Sequence, residues 1–289
     1  MKKCDERVAL RVSRVSIGVN LLLSALKFMA GLLAHSGAML SDAVHSASDV
    51  LSTLVVMVGV RLAGKEPDWD HPYGHERLES VAALLLAGML ALTGLLIGVQ
   101  GVRHVLNPGA LQVPGALALW AAALSIGVKE WMYRYTKRAA QKTGSDALMA
   151  DAWHHRSDAL SSVGSFLGIF GARLGFPLLD PLAAAVIALF ILRAAFGIAR
   201  DSVGRLTDRA CDEEIAARMR AAILAQPGVL SLDELRTRVF GSRLYADVAI
   251  GADGSMTLYQ AHAIAEGVHV ALEREFPALK HCTVHVNAL

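Results

Sequence analysis

The chain has 289 residues, is 54% hydrophobic and carries a formal net charge of +2; its mean hydropathy is +0.43. That is too apolar for an ordinary soluble domain, and the near-neutral charge leaves no electrostatic footprint for nucleic acid. Cys4, Cys211 and Cys282 lie far apart and form no C-x-x-C pair, which argues against a disulfide framework and fits a reducing compartment.

In chain order, residues 1–14 are polar and basic, with Lys2, Lys3, Arg7, Arg11 and Arg14. The apolar stretch behind them lacks a small-x-small cleavage site, so it reads as an uncleaved first span. A spanning helix needs about 20 mostly apolar residues. Six stretches qualify: 15–34, 39–62, 81–105, 114–135, 147–174 and 178–199. Asn20 and Lys27 interrupt the first, His45 and Asp49 the second, His154 and Asp158 the fifth. Such residues must face protein or water.

Basic residues set the orientation. They crowd the N-terminus, the second loop (Arg61, Lys65, Arg77), the fourth (Arg134, Lys137, Arg138, Lys142) and the segment after span six (Arg200, Arg205, Arg209). The alternate loops hold far fewer. Positive charge stays inside, so both termini are expected in the cytoplasm.

From about Thr207 the texture changes to that of a soluble domain. Residues 211–226 predict an amphipathic helix with Asp212, Glu213 and Glu214 in its first turn, where the helix dipole favours them. Residues 232–239 and 244–250 predict strands, 258–276 a second helix ended by Pro277, and 281–286 a last strand. The expected fold class is a membrane α-helical bundle of six transmembrane helices over residues 1–206. A cytoplasmic α+β domain of order α-β-β-α-β follows over 207–289.

The chemistry-bearing pattern is a repeated His-x-x-x-Asp. His45 with Asp49, and His154 with Asp158, place an imidazole and a carboxylate on one helix face. If the two faces meet, two nitrogen and two oxygen ligands form a tetrahedral set suited to Zn²⁺. The bland reading is polar side chains bonding between helices; two pairs at identical spacing favour the metal. Asp42 is expected to cap the second span, since Gly37 and Ser41 suggest that it begins there. His155 and Arg156 lie off the Asp158 face and read as lining a cavity or a helix contact. In the second loop, Asp68, His71 and His75 are close enough in sequence to fold round one ion, though a loop site is less preorganised.

These residues carry a family resemblance. Ser41-Asp42-Ala43-Val44-His45-Ser46, the run from Asp70 to Ser80, and Leu235-Arg236-Thr237-Arg238 resemble signatures of the cation diffusion facilitators, proton-coupled exporters of zinc and related divalent metals. The resemblance covers nearly the whole chain. It implies a homodimer in the lipid bilayer, with a ferredoxin-like, metallochaperone-like tail and no enzymatic activity. It implies a transport site at His45, Asp49, His154 and Asp158, and a loop site at Asp68, His71 and His75. It also implies a salt bridge between Arg77 and Asp208. His262 and His285 match two tail ligands of such proteins, but Asp233, Ala249 and Asn287 stand where further ligands are expected. Asp247 or Cys282 could complete a smaller tail site. Two histidines with two aspartates resemble the zinc-selective subgroup, with protons as counter-ion and the bacterial inner membrane as location. A membrane-bound metal sensor that binds without transporting is the alternative. A membrane metalloenzyme is disfavoured, for the chain has no H-E-x-x-H helix.

Overall fold

The computed structural model describes residues 3–33, 37–106, 116–173, 179–241 and 243–289. The chain divides into two compact units, Met1–Val203 and Gly204–Leu289. The first is all helical: α1 (Lys3–Leu33), α2 (Gly37–Ala63), α3 (Arg77–Leu106), α4 (Ala116–Thr143), α5 (Asp146–Arg173) and α6 (Leu179–Leu206), the last running into the second unit. The second adds α7 (Glu213–Leu224), β1 (Ser231–Phe240), β2 (Arg243–Ala252), α8 (Leu258–Glu275) and β3 (Leu279–Ala288). Element order and type follow the sequence expectation.

Three boundaries do not. The polar N-terminus expected outside the first span is helical from Lys3, the basic segment Arg134–Lys142 continues α4, and α6 runs on to Leu206. Hydropathy finds the part of a helix that lies in hydrocarbon, not the helix itself. Arg, Lys, Gln and Ala are good helix formers and carry the turns on past that slab. Asp42 is a correction of another kind. α2 already starts at Gly37, so Asp42 is inside the helix and is not its cap.

Among the described residues, Arg7–Met29 and Arg77–Val99 are long and apolar enough to cross a bilayer. Leu22, Leu26, Leu92, Leu189 and Phe196 are exposed on the helical unit, an outer surface suited to lipid rather than water. Its interior is built from small residues. Ala82, Ala83, Ala139, Ala140, Ala147 and Ala150 pack with Val56, Val60 and Leu86, and small side chains let helices approach where hydrophobic burial drives little association. Gly59 of α2 makes this concrete, because a Cβ there would lie 2.3 Å from the Ala82 Cβ. Ala82 has no flexible end to swing aside. Gly59→Ala should therefore push α2 off α3 and lower stability by about 1–3 kcal/mol, the usual range for overpacking. Thermal unfolding of the purified protein in detergent would check this.

In the second unit, β1 pairs antiparallel with β2, and β2 pairs parallel with β3. A parallel pair needs a crossover, and α8 supplies it. α8 starts in a full capping box: Gln260 N donates to Thr257 Oγ1, and Thr257 N donates to Gln260 Oε1 at 2.9 Å. One sheet face, with Ala246, Val248, Ile250 and Cys282, is buried against Met219 and Ile223 of α7 and Val268 and Leu272 of α8. The alternate positions Asp247, His281, Thr283 and His285 therefore lie on the other face.

Candidate metal centre

The candidate ligands of the helical unit converge from two helices. α2 brings Asp49 and α5 brings His154 and Asp158, and one ligand atom from each falls within 4.8 Å of the others. All three are buried, at 2%, 5% and 5% exposure. His154 Nε2 lies 3.5 Å from Asp49 Oδ1 and 4.0 Å from Asp158 Oδ2. Ligands about 2.0–2.1 Å from a tetrahedral ion stand roughly 3.3 Å apart, so a small contraction would close this shell. The fourth expected ligand, His45, belongs to α2, but its side chain lies outside the described residues.

Helical geometry explains the convergence on α5. The i, i+4 spacing stacks His154 over Asp158. On α2, Ser52 Oγ donates to the Asp49 carbonyl at 2.8 Å and Thr53 Oγ1 to the same carbonyl at 3.2 Å. These short polar side chains bond the Asp49 carbonyl and leave its carboxylate to the pocket.

The sequence pattern assigns no role to a fourth charged group here. Lys129 of α4 is 2% exposed. Its Nζ donates to Asp49 Oδ2, to Asp158 Oδ2 at 3.0 Å and to Asn20 Oδ1 of α1 at 3.0 Å. A signal for it does exist in the chain. A cation inside an apolar stretch needs an anionic partner at the same depth, and Asp49 and Asp158 are among the carboxylates placed in the candidate spans. Toward the start of α5, Asp151 and His155 form a second buried pair, His155 Nε2 being 3.6 Å from Asp151 Oδ2. Thr53 Oγ1 donates to Asp151 Oδ1 at 3.4 Å. Arg156 lies 3.2 Å from Glu130 Oε1 and 4.5 Å over the Tyr133 ring, a helix contact away from the pocket.

The loop cluster also forms. His71 N donates to Asp68 Oδ1 at 2.9 Å, and Gly74, at φ 96°, turns the chain back so that its N–H reaches the His71 carbonyl. The turn brings His71 Nδ1 to 3.2 Å from Asp68 Oδ1, and His75 Nε2 to 3.5 Å from Asp68 Oδ2. Lys65 Nζ also contacts Asp68 Oδ2. The Lys65 ammonium, with help from His71, holds the Asp68 carboxyl well below the usual carboxylate range. Asp68 is thus an anion at any working pH. A metal titration of full-length protein should lose the loop step by tenfold or more in Asp68→Asn, because even outer-shell changes cost about 10–100-fold in affinity. Lys65→Gln should shift it only a few-fold, since an exposed ion pair is worth about 0–1 kcal/mol.

The tail ligands do not converge within one chain. Among the described residues, no group of three or more ligand-type side chains gathers there. Asp233 sits at a bulge of β1 and accepts from Asn287 Nδ2 at 2.6 Å. Asp247 lies 3.7 Å from Arg238, while His262 is exposed on α8 and His285 exposed on β3. Cys282 faces the core, and burial, then Asp247 and Glu273, push its thiol up to about 11; a protonated thiol is a poor ligand. Arg77 opens α3, and Asp208 follows α6 with a left-handed φ of 60°.

Comparison with known proteins gives two family matches. The family model for the cation efflux transmembrane domain matches residues 13–207, and that for the cation efflux protein cytoplasmic domain matches 211–289. Manganese efflux system protein MneS of Bacillus subtilis is 33% identical over 275 residues, covering 95% of this chain and 94% of that protein. Magnetosome protein MamM of Magnetospirillum gryphiswaldense is 34% identical over 276 residues, covering 95% and 86%. Metal tolerance protein C1 of Arabidopsis thaliana is 35% identical over 292 residues; the match covers 96% of this chain but only 62% of that longer protein.

Proposed function

Because the chain belongs to the cation diffusion facilitator family of integral-membrane metal-cation efflux transporters, we propose that it is a proton-coupled antiporter exporting Zn²⁺ from a bacterial cytoplasm. His45, Asp49, His154 and Asp158 hold the cargo, and both termini lie in the cytoplasm. The observation that carries the reading is the buried convergence of Asp49, His154 and Asp158 in the helical unit. Ionisable groups at membrane depth mark ion pathways. Imidazole with carboxylates suits a borderline-soft ion better than a hard one. MneS is named for manganese efflux, so manganese is the competing cargo. The match of the tail to the cytoplasmic-domain family supports a homodimer.

Exchange follows from shared ligands. Metal binding needs a neutral imidazole and ionised carboxylates, so protons and metal compete for the same atoms. In the inward-facing state the deprotonated site captures Zn²⁺. In the outward-facing state protons displace it and ride back. The test is metal flux into proteoliposomes loaded with a zinc dye, under an imposed pH gradient, for wild type and Asp158→Ala. Flux that needs both the gradient and Asp158 supports the antiporter. Flux that ignores pH between about 5.5 and 8 removes the proton coupling, since histidine titrates across that window. Binding without flux turns the reading to a metal sensor.

A further inference from the structure

Lys129 reaches the carboxylates a cargo ion would take. An ammonium has three donors and no acceptor. Here the three donors are used by Asp49 Oδ2, Asp158 Oδ2 and Asn20 Oδ1, drawn from α2, α5 and α1. Two of those three residues belong to the buried ligand cluster. Lysine is almost never fully buried unless paired, and this one is paired to the carboxylates of the site itself.

The balance of charge gives the arrangement its meaning. Asp49, Asp158 and Lys129 together carry one negative charge. A divalent cation entering beside the ammonium would make the pocket net positive and set two cations against one pair of carboxylates. With the ammonium withdrawn, the metal and the two carboxylates sum to zero. The metal alone neutralises the two carboxylates, the ammonium alone offsets one of them, and both cations together would leave an excess positive charge in a buried pocket.

We infer that the Lys129 ammonium is a tethered competitor of the cargo: it occupies the Asp49–Asp158 carboxylates when the site is empty and is displaced when a divalent cation binds. The inference rests on the transport-site reading above. The lysine keeps its charge throughout, and only its position changes. One consequence is weaker apparent metal affinity, because metal finds the carboxylates open only part of the time. That weakness helps release. A second is that the ammonium offsets one of the two carboxylate charges of the emptied pocket, which eases the return of the carrier through the bilayer. A lysine that merely braced α4 against α2 and α5 would act the opposite way. Its loss would loosen the ligands and weaken binding.

The direction of the affinity change separates the two. Full-length protein in nanodiscs is titrated with Zn²⁺ against a chromophoric chelator, and flux is measured in proteoliposomes. The binding step that Asp158→Asn removes is the step of this pocket. Lys129→Gln should tighten that step about tenfold, as expected when an occupant present most of the time is removed, and should slow flux. Unchanged or weaker binding in folded Lys129→Gln overturns the inference. If Lys129→Gln does not fold, Lys129→Arg carries the test. A guanidinium keeps the charge and grips carboxylates bidentately, so the same step should weaken several-fold; unchanged or tighter binding overturns the inference. Should Asp158→Asn remove no binding step at all, the transport-site reading itself fails, and the competitor role fails with it.

Discussion

Asp49→Asn should abolish metal flux, by about 100-fold or more, and leave the helical unit folded. The loss follows from what the carboxylate does. One of its oxygens stands 3.5 Å from His154 Nε2 and the other contacts Lys129. Asparagine keeps the shape and one oxygen but removes the charge that holds a divalent ion. Changes in the outer shell of a metal site already cost about 10–100-fold, and a direct ligand is worth no less.

The preserved fold is the less obvious half. Removing one partner of a buried ion pair commonly costs about 3–5 kcal/mol, because a bare charge is left behind. Lys129 escapes that fate, for Asp158 Oδ2 remains 3.0 Å away. The variant pocket would hold one cation and one anion. The Ser52 and Thr53 bonds go to the Asp49 carbonyl and survive the change. Flux and thermal unfolding, measured on one preparation, check both halves. Flux above a tenth of wild type would take Asp49 out of the transport site, and an unfolded variant would make it a structural residue.

Much of this arrangement is legible in the amino-acid sequence. The paired His-x-x-x-Asp spacing puts His154 and Asp158 on one face, and the fold brings Asp49 to meet them. The loop cluster follows from the density of Asp68, His71 and His75, once Gly74 turns the chain. Period-2 alternation in the tail marks the strands, and Pro277 marks the end of the second tail helix. Other features are hidden for physical reasons. Lys129 lies in a long apolar stretch, where averaging over a window dilutes a single charge among its neighbours. Its role appears only when three other helices are assembled around its Nζ. Helix ends at Lys3, Thr143 and Leu206 extend past the hydrocarbon, where amphipathic turns carry no span signal. Cys282 looks like a ligand candidate until strand parity sends it to the core face, opposite His285.

His154→Asp should turn the metal preference over. The wild-type pocket offers an imidazole nitrogen at His154 between two carboxylates. Zn²⁺ gains from nitrogen, whereas Mn²⁺, lower in the affinity series and harder, is better matched to an oxygen-richer set, and His154→Asp leaves His45 as the one nitrogen of the proposed four ligands. Losing the nitrogen should cost Zn²⁺ about tenfold, or ~1.4 kcal/mol, and the added carboxylate should help Mn²⁺ by a similar factor. The flux ratio of Zn²⁺ to Mn²⁺ would then fall by about a hundredfold. Absolute rates should fall for both ions. The empty pocket would gain a negative charge that Lys129 alone cannot offset, and that state is costly in the bilayer. The ratio is the clean readout, since a slower carrier lowers both fluxes together. His154→Gln supplies the control. It removes the imidazole without adding charge, so it should lose zinc flux and gain nothing for manganese. If His154→Asp leaves the zinc-to-manganese ratio where it was, the selectivity does not reside in the His154 nitrogen.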